Sequence, residues 1–140
     1  MAIDTKFIGR GSITEGVKGI LRQLVTAVEA ESTFSPLTVT SSTATATGGA
    51  ATLNAPSGKV TTAALTTAQD ATYTLTLTNS SIAATDKVFV SIANGTNSQG
   101  TPLVGRVTPG AGSVVITVIN KHATAQALNG TLVVSFLVVS

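Results

Sequence analysis

Residues 73–78 read Tyr-Thr-Leu-Thr-Leu-Thr, a strict alternation of apolar and hydroxyl side chains that sorts into two faces only on a β-strand. Tyr73, Leu75 and Leu77 then face a core, and Thr74, Thr76 and Thr78 face water. The β-branched threonines favour the same backbone. Comparable short segments predict strands over 50–54, 58–64, 71–78, 86–93, 102–108, 113–120 and 130–139. Between them stand Asn54-Ala-Pro-Ser-Gly58, Asn94-Gly95, Pro109-Gly-Ala-Gly112 and Asn129-Gly130, which supply the fixed or positive φ values of chain reversals. Short strands at this spacing predict a mostly β domain, an antiparallel β-sandwich or jelly-roll-like fold over 49–140.

The first part of the chain has a different character. Asp4, Lys6, Arg10, Glu15, Lys18, Arg22, Glu29 and Glu31 crowd the first 31 residues, and 32–58 carry no charge. Ile13, Val17, Ile20, Leu21, Leu24, Val25 and Val28 recur at the spacing of one helix face, behind a capping box at Ser12-Ile-Thr-Glu15. This predicts an amphipathic helix over about 13–30. Gly16 and Gly19 weaken it, so it needs a surface to lie on, either its own β domain or a partner. Ile13, Val17, Ile20, Leu21, Leu24 and Val28 are therefore the candidate partner-binding residues. Residues 32–49 are Ser, Thr, Ala and Gly with few bulky side chains, and Thr43-Ala-Thr-Ala-Thr47 alternates, which reads as an extended linker able to become a strand on contact. The domains expected are thus an arm over 1–48 and a sandwich over 49–140.

Two late strands, Val114-Val-Ile-Thr-Val-Ile119 and Leu132-Val-Val-Ser-Phe-Leu-Val-Val139, are apolar on both faces. A strand covered on both sides of a small sandwich implies a neighbouring subunit. Val115, Thr117, Val134, Phe136 and Val138 are the candidate oligomer-interface residues.

Composition removes several functions. Charged residues are 10% of the chain, against about 25% in an average soluble domain, so much of the surface lacks ionic cover. A net charge of +2 from eight cations and six anions is not a basic patch, and one Tyr and four Phe leave few stacking platforms, so no nucleic-acid partner is expected. Without cysteine there is no disulfide and no thiolate chemistry. Residues 1–10 contain no apolar signal region, and the run at 132–139 is far below the roughly 18 residues of a membrane span. A soluble chain with no membrane partner is the expectation.

Catalytic signals are sparse. His122 is the single histidine, and Lys121 beside it completes neither a triad nor a metal triplet. Asp70 and Asp86 are the β domain's only carboxylates. They would need to stand within about 10 Å to act as a glycosidase pair, and calcium takes about six or more oxygens. Asn79-Ser-Ser81, Asn94-Gly-Thr96 and Asn129-Gly-Thr131 match the glycosylation sequon but read as turns. Gly16-Val-Lys-Gly19 matches a nucleotide-clamping GxxG but falls inside the helix. With Phe89 and Phe136 as the domain's phenylalanines and Tyr73 on a core face, aromatic sugar platforms are lacking. No catalytic residue, metal site or cofactor is predicted.

The segments Ala51-Thr-Leu-Asn54, Gly58-Lys-Val-Thr-Thr62 and Ala71-Thr-Tyr-Thr-Leu-Thr-Leu-Thr-Asn79 resemble small β-domain proteins of tailed-bacteriophage virions. The likeness continues through Asn94-Gly-Thr-Asn97, Arg106-Val-Thr-Pro-Gly-Ala-Gly-Ser-Val-Val-Ile116 and Ala127-Leu-Asn-Gly-Thr131, and does not extend to the arm. It implies a capsid decoration (cement) protein or head-fibre protein, synthesised in the host cytoplasm and located on the virion surface. Its implied partners are the major capsid protein and further copies of itself, often as a homotrimer. A head-fibre or tail-fibre component that binds the host through loops 94–101 and 121–129 is the alternative. The resemblance carries over no active-site residue.

Overall fold

A computed structural model describes Lys18, Gly19 and residues 42–140, and the chain divides into two units, Met1–Leu37 and Thr38–Ser140. Lys18 and Gly19 are helical. The rest of the expected 13–30 helix, with Ile13, Val17, Ile20, Leu21, Leu24 and Val28, lies outside the described residues.

The described residues form eight strands: β1 (Thr43–Thr45), β2 (Ala50–Thr52), β3 (Ser57–Thr61), β4 (Thr72–Thr78), β5 (Lys87–Asn94), β6 (Pro102–Gly110), β7 (Ser113–Asn120) and β8 (Leu132–Val139). They form two four-stranded sheets, ordered β1-β3-β8-β5 and β2-β4-β7-β6. The expectation of a wholly antiparallel sandwich or jelly roll is corrected, because β1 runs parallel to β3 and β2 parallel to β4. The cause is local. The 43–52 segment reverses at Gly48-Gly49, just as the chain reverses between β3 and β4, so each short strand runs alongside its longer neighbour. Gly49 makes the turn possible: its φ is +81°, and a Cβ there would stand 2.7 Å from the Thr74 carbonyl oxygen.

Thr43–Thr45 thus belongs to the sheet, at the edge of β3. The alternating Thr-Ala pattern already carried that potential; the edge of β3 realises it.

Pleating decides the core. In the first sheet Ala44, Val60, Val134 and Ile92 form one cross-strand row. In the second, Leu75 pairs with Ile116 and Leu77 with Val114. Val60, Val134 and Phe136 join Leu75, Leu77, Ile116 and Val118 in a single buried cluster, so the inward faces of the two sheets pack on each other as a sandwich. At about 0.8 kcal/mol per buried CH₂, this cluster is the main favourable term of a domain with no covalent cross-link.

Among the described residues one core-side group is unsatisfied. The Tyr73 hydroxyl oxygen is sealed from solvent and has no hydrogen-bond partner. Burial pushes the phenol above its ordinary value of 10.0. Because Tyr73 is the only tyrosine and tryptophan is absent, the near-ultraviolet absorbance of tyrosinate reports this residue alone. Its titration midpoint is expected above 10 in the folded protein and at the ordinary value in denaturant. The folded state holds the proton longer than the unfolded chain, so stability should fall as pH rises through this range. Tyr73→Phe should flatten that fall and leave neutral-pH stability unchanged or raised by up to about 1 kcal/mol, since no hydrogen bond is lost. A midpoint at 10 in the native protein would contradict the burial.

Candidate binding surfaces

The polar chemistry of the β unit gathers at the sandwich end that carries loops 62–71, 95–101 and 121–131. Asn120, completely buried at the end of β7, ties all three together. Its Oδ1 accepts from Thr101 N at 2.9 Å, and its Nδ2 donates to Thr67 O at 3.0 Å and to Gln126 O at 2.7 Å. Asn97 accepts from Asn129 N at 2.9 Å, and Asn129 Oδ1 accepts from the backbone N–H groups of Ser98 and Gln99. Thr96 and Thr131 exchange bonds, each hydroxyl accepting from the other's backbone N–H at 2.9 Å. Gly130 is squeezed into this seam: a Cβ would lie 2.6 Å from Asn97 N. Loops 95–101 and 121–131 are therefore held against each other as a pre-shaped unit.

The expected turn role of the sequons is visible in these contacts. Asn79 is fully buried, donating to Ala55 O and accepting from Ser81 N, while the Asn129 side chain caps the 98–99 backbone. Asp70, in the left-handed region at φ 60°, pairs with Lys121 at 2.6 Å. His122 Nδ1 accepts from Thr124 N at 3.2 Å, and its carbonyl accepts from Gln69 Nε2. Asp86 caps the turn before β5 by accepting from Ala83 N. It lies at the opposite end of the sandwich from Asp70, roughly 20 Å away by strand length, so the two do not form a carboxylate pair. Among the described residues no group of three or more His, Asp or Glu is placed to hold a metal ion.

The outward faces of the sheets make the larger surfaces. On the second sheet, register sets Thr76 beside Val115 and Thr108, Thr74 beside Thr117 and Arg106, and Thr72 beside Ile119 and Leu103. Leu103 and Val115 are exposed there. On the first sheet Ser135 lies between Lys59 and Ser91, and Leu137 lies beside Phe89. Phe89 is 61% exposed and Val139 43%. Phe89, Val90, Ser91, Ser135, Phe136 and Leu137 line a shallow open groove of about 310 Å³.

This placement corrects part of the expected oligomer interface. Val115 and Thr117 do face outward from β7. Val134, Phe136 and Val138 face inward and are 0%, 4% and 9% exposed, because the parity of β8 turns its even-numbered residues into the sandwich. The outward set is Val133, Ser135, Leu137 and Val139. Phe89 was not among the expected binding residues, although Ser91 two positions along marks its face as the outward one.

Among the described residues no helix is long and apolar enough to cross a membrane. Comparison with protein-family models, with curated proteins and with solved structures finds no match.

Proposed function

We propose that this chain is a structural virion protein that binds the outside of a phage capsid and stabilises it, with the major capsid protein and further copies of itself as partners. The observation that carries this reading is the pair of outward sheet faces, where Phe89, Val139, Leu103 and Val115 stand exposed. Lys59, Asp70, Asp86, Lys87, Arg106 and Lys121 are the only charges in 49–140 to keep other proteins away. Apolar and hydroxyl surface with so little charge suits permanent cover by protein. A ligand that binds only the assembled lattice stabilises it by mass action. The resemblance in 51–131 supplies the capsid as the lattice, and the apolar stripe of the arm supplies the fastening.

The test is co-sedimentation of the full chain with undecorated capsids. Leu21→Asp and Leu24→Asp each put charge on the stripe and should weaken binding at least tenfold, the equivalent of about 1.4 kcal/mol. Gln23→Ala, off the stripe, should bind normally. Equal co-sedimentation of all three would refute attachment through the arm.

A second reading has its own observation. The linked loops 95–101 and 121–131 form a rigid, exposed, amide-rich and hydroxyl-rich tip, as a fibre component that binds the host surface requires. Binding of the purified protein to host cells or lipopolysaccharide, lost on replacing exposed residues such as Ser98 and Gln99, favours that reading over decoration.

A further inference from the structure

Among the described residues four strands form the sheet edges, and three of them are closed to further pairing. β1 and β2 are three residues long. β6 carries Pro102, Pro109, Arg106 and a break in register between Val104 and Arg106, devices that blunt an edge. β5 has none of these. It is eight residues long, in unbroken register with β8, free of proline, and charged only at Lys87, its first residue.

We propose that β5 is the self-association edge of this protein: β5 of a second copy adds antiparallel to it about a two-fold axis, joining two four-stranded sheets into one of eight strands. Charge selects the direction. Parallel addition would stack Lys87 on Lys87 at about 5 Å, whereas antiparallel addition separates them by most of the strand, roughly 25 Å. The pleat restricts the register, since odd residues must meet odd residues for the core faces to stay on one side. Centred on Ser91, the contact sets Phe89 beside the small Ala93 of the second copy and Val90 beside its Ile92. The apolar groove next to Phe89 then runs into the junction instead of ending at an open edge. The contact is isologous and closes at two copies, which replaces the three-fold stoichiometry implied by the resemblance. It deepens the self-association in the proposed function without resting on the capsid.

Light scattering on the full chain tests it. The wild type should have twice the 14.0 kDa chain mass at micromolar concentration. Ser91→Lys places like charges face to face across the axis and should weaken association at least tenfold, giving the mass of one chain. Ala93→Lys should do the same through Phe89 and serves if the first variant misfolds by circular dichroism. Thr74→Lys, equally outward but in the middle of the other sheet, should remain a dimer. A wild-type mass of one or three chains overturns the proposal, as does an unchanged dimer in both β5 variants. Capsid co-sedimentation is read separately, so failure of either idea leaves the other to its own assay.

Discussion

Val134→Asp is expected to leave no folded protein at neutral pH, whereas Ser135→Asp, one residue along the same strand, should fold normally. Val134 is completely buried between Val60 and Ile92 in its sheet and belongs to the cluster shared with the opposite sheet. A carboxylate there has no cation and no N–H donor to meet it, because the neighbouring backbone groups are committed to the ladder. The penalty is about 5 kcal/mol or more, comparable to the 5–15 kcal/mol that separates a typical domain from its unfolded state. Phe136→Asp carries the same penalty plus the loss of a large apolar side chain. Ser135 faces outward beside Lys59, so a carboxylate there is solvated and gains a nearby cation. Circular dichroism and thermal melting of the three variants check the parity of β8 directly. Similar melting of Val134→Asp and Ser135→Asp would mean that the strand's inward face is misassigned.

This contrast also marks where sequence reasoning stopped. Thr72–Thr78 and Ser113–Asn120 coincide with expected strands to within a residue, because alternation and turn residues are local signals. In Leu132–Val139 both alternating sets are apolar, so the pattern fixes a strand but not which set turns inward. Only Ser135 breaks the symmetry, and its hydroxyl marks the odd set as the outer one. The same logic applied to Ser91 would have exposed Phe89. Thr43–Thr45 was legible as extended chain, yet its pairing depends on an edge more than ten residues away in sequence. Of the buried asparagines, Asn79 was legible as a turn residue and Asn120 only as the end of a strand, since their depth arises from loops that meet in three dimensions.

Asn120 shows what such a residue contributes. Asn120→Asp keeps an acceptor for Thr101 N but removes both donors, leaving a carboxylate oxygen against the carbonyls of Thr67 and Gln126. Each unsatisfied buried group costs about 1–3 kcal/mol, so a loss near 3–5 kcal/mol is expected at pH 7. For a domain of this size that lowers the melting temperature by roughly 15–30 °C. The surroundings disfavour the charged form, so the introduced carboxyl titrates higher in the folded protein than its unfolded value of about 3.9. Relative to wild type, the variant is therefore most stable below that value, where the neutral carboxyl donates one of the two missing bonds. It loses stability as pH rises toward the raised folded value and changes no further above it. Asn120→Ala, which loses all three bonds without adding a charge, should be destabilised by a similar amount at every pH. Melting curves of the two variants between pH 3 and pH 8 separate the cases, and a pH-independent Asn120→Asp would show that the three loops do not converge on this side chain.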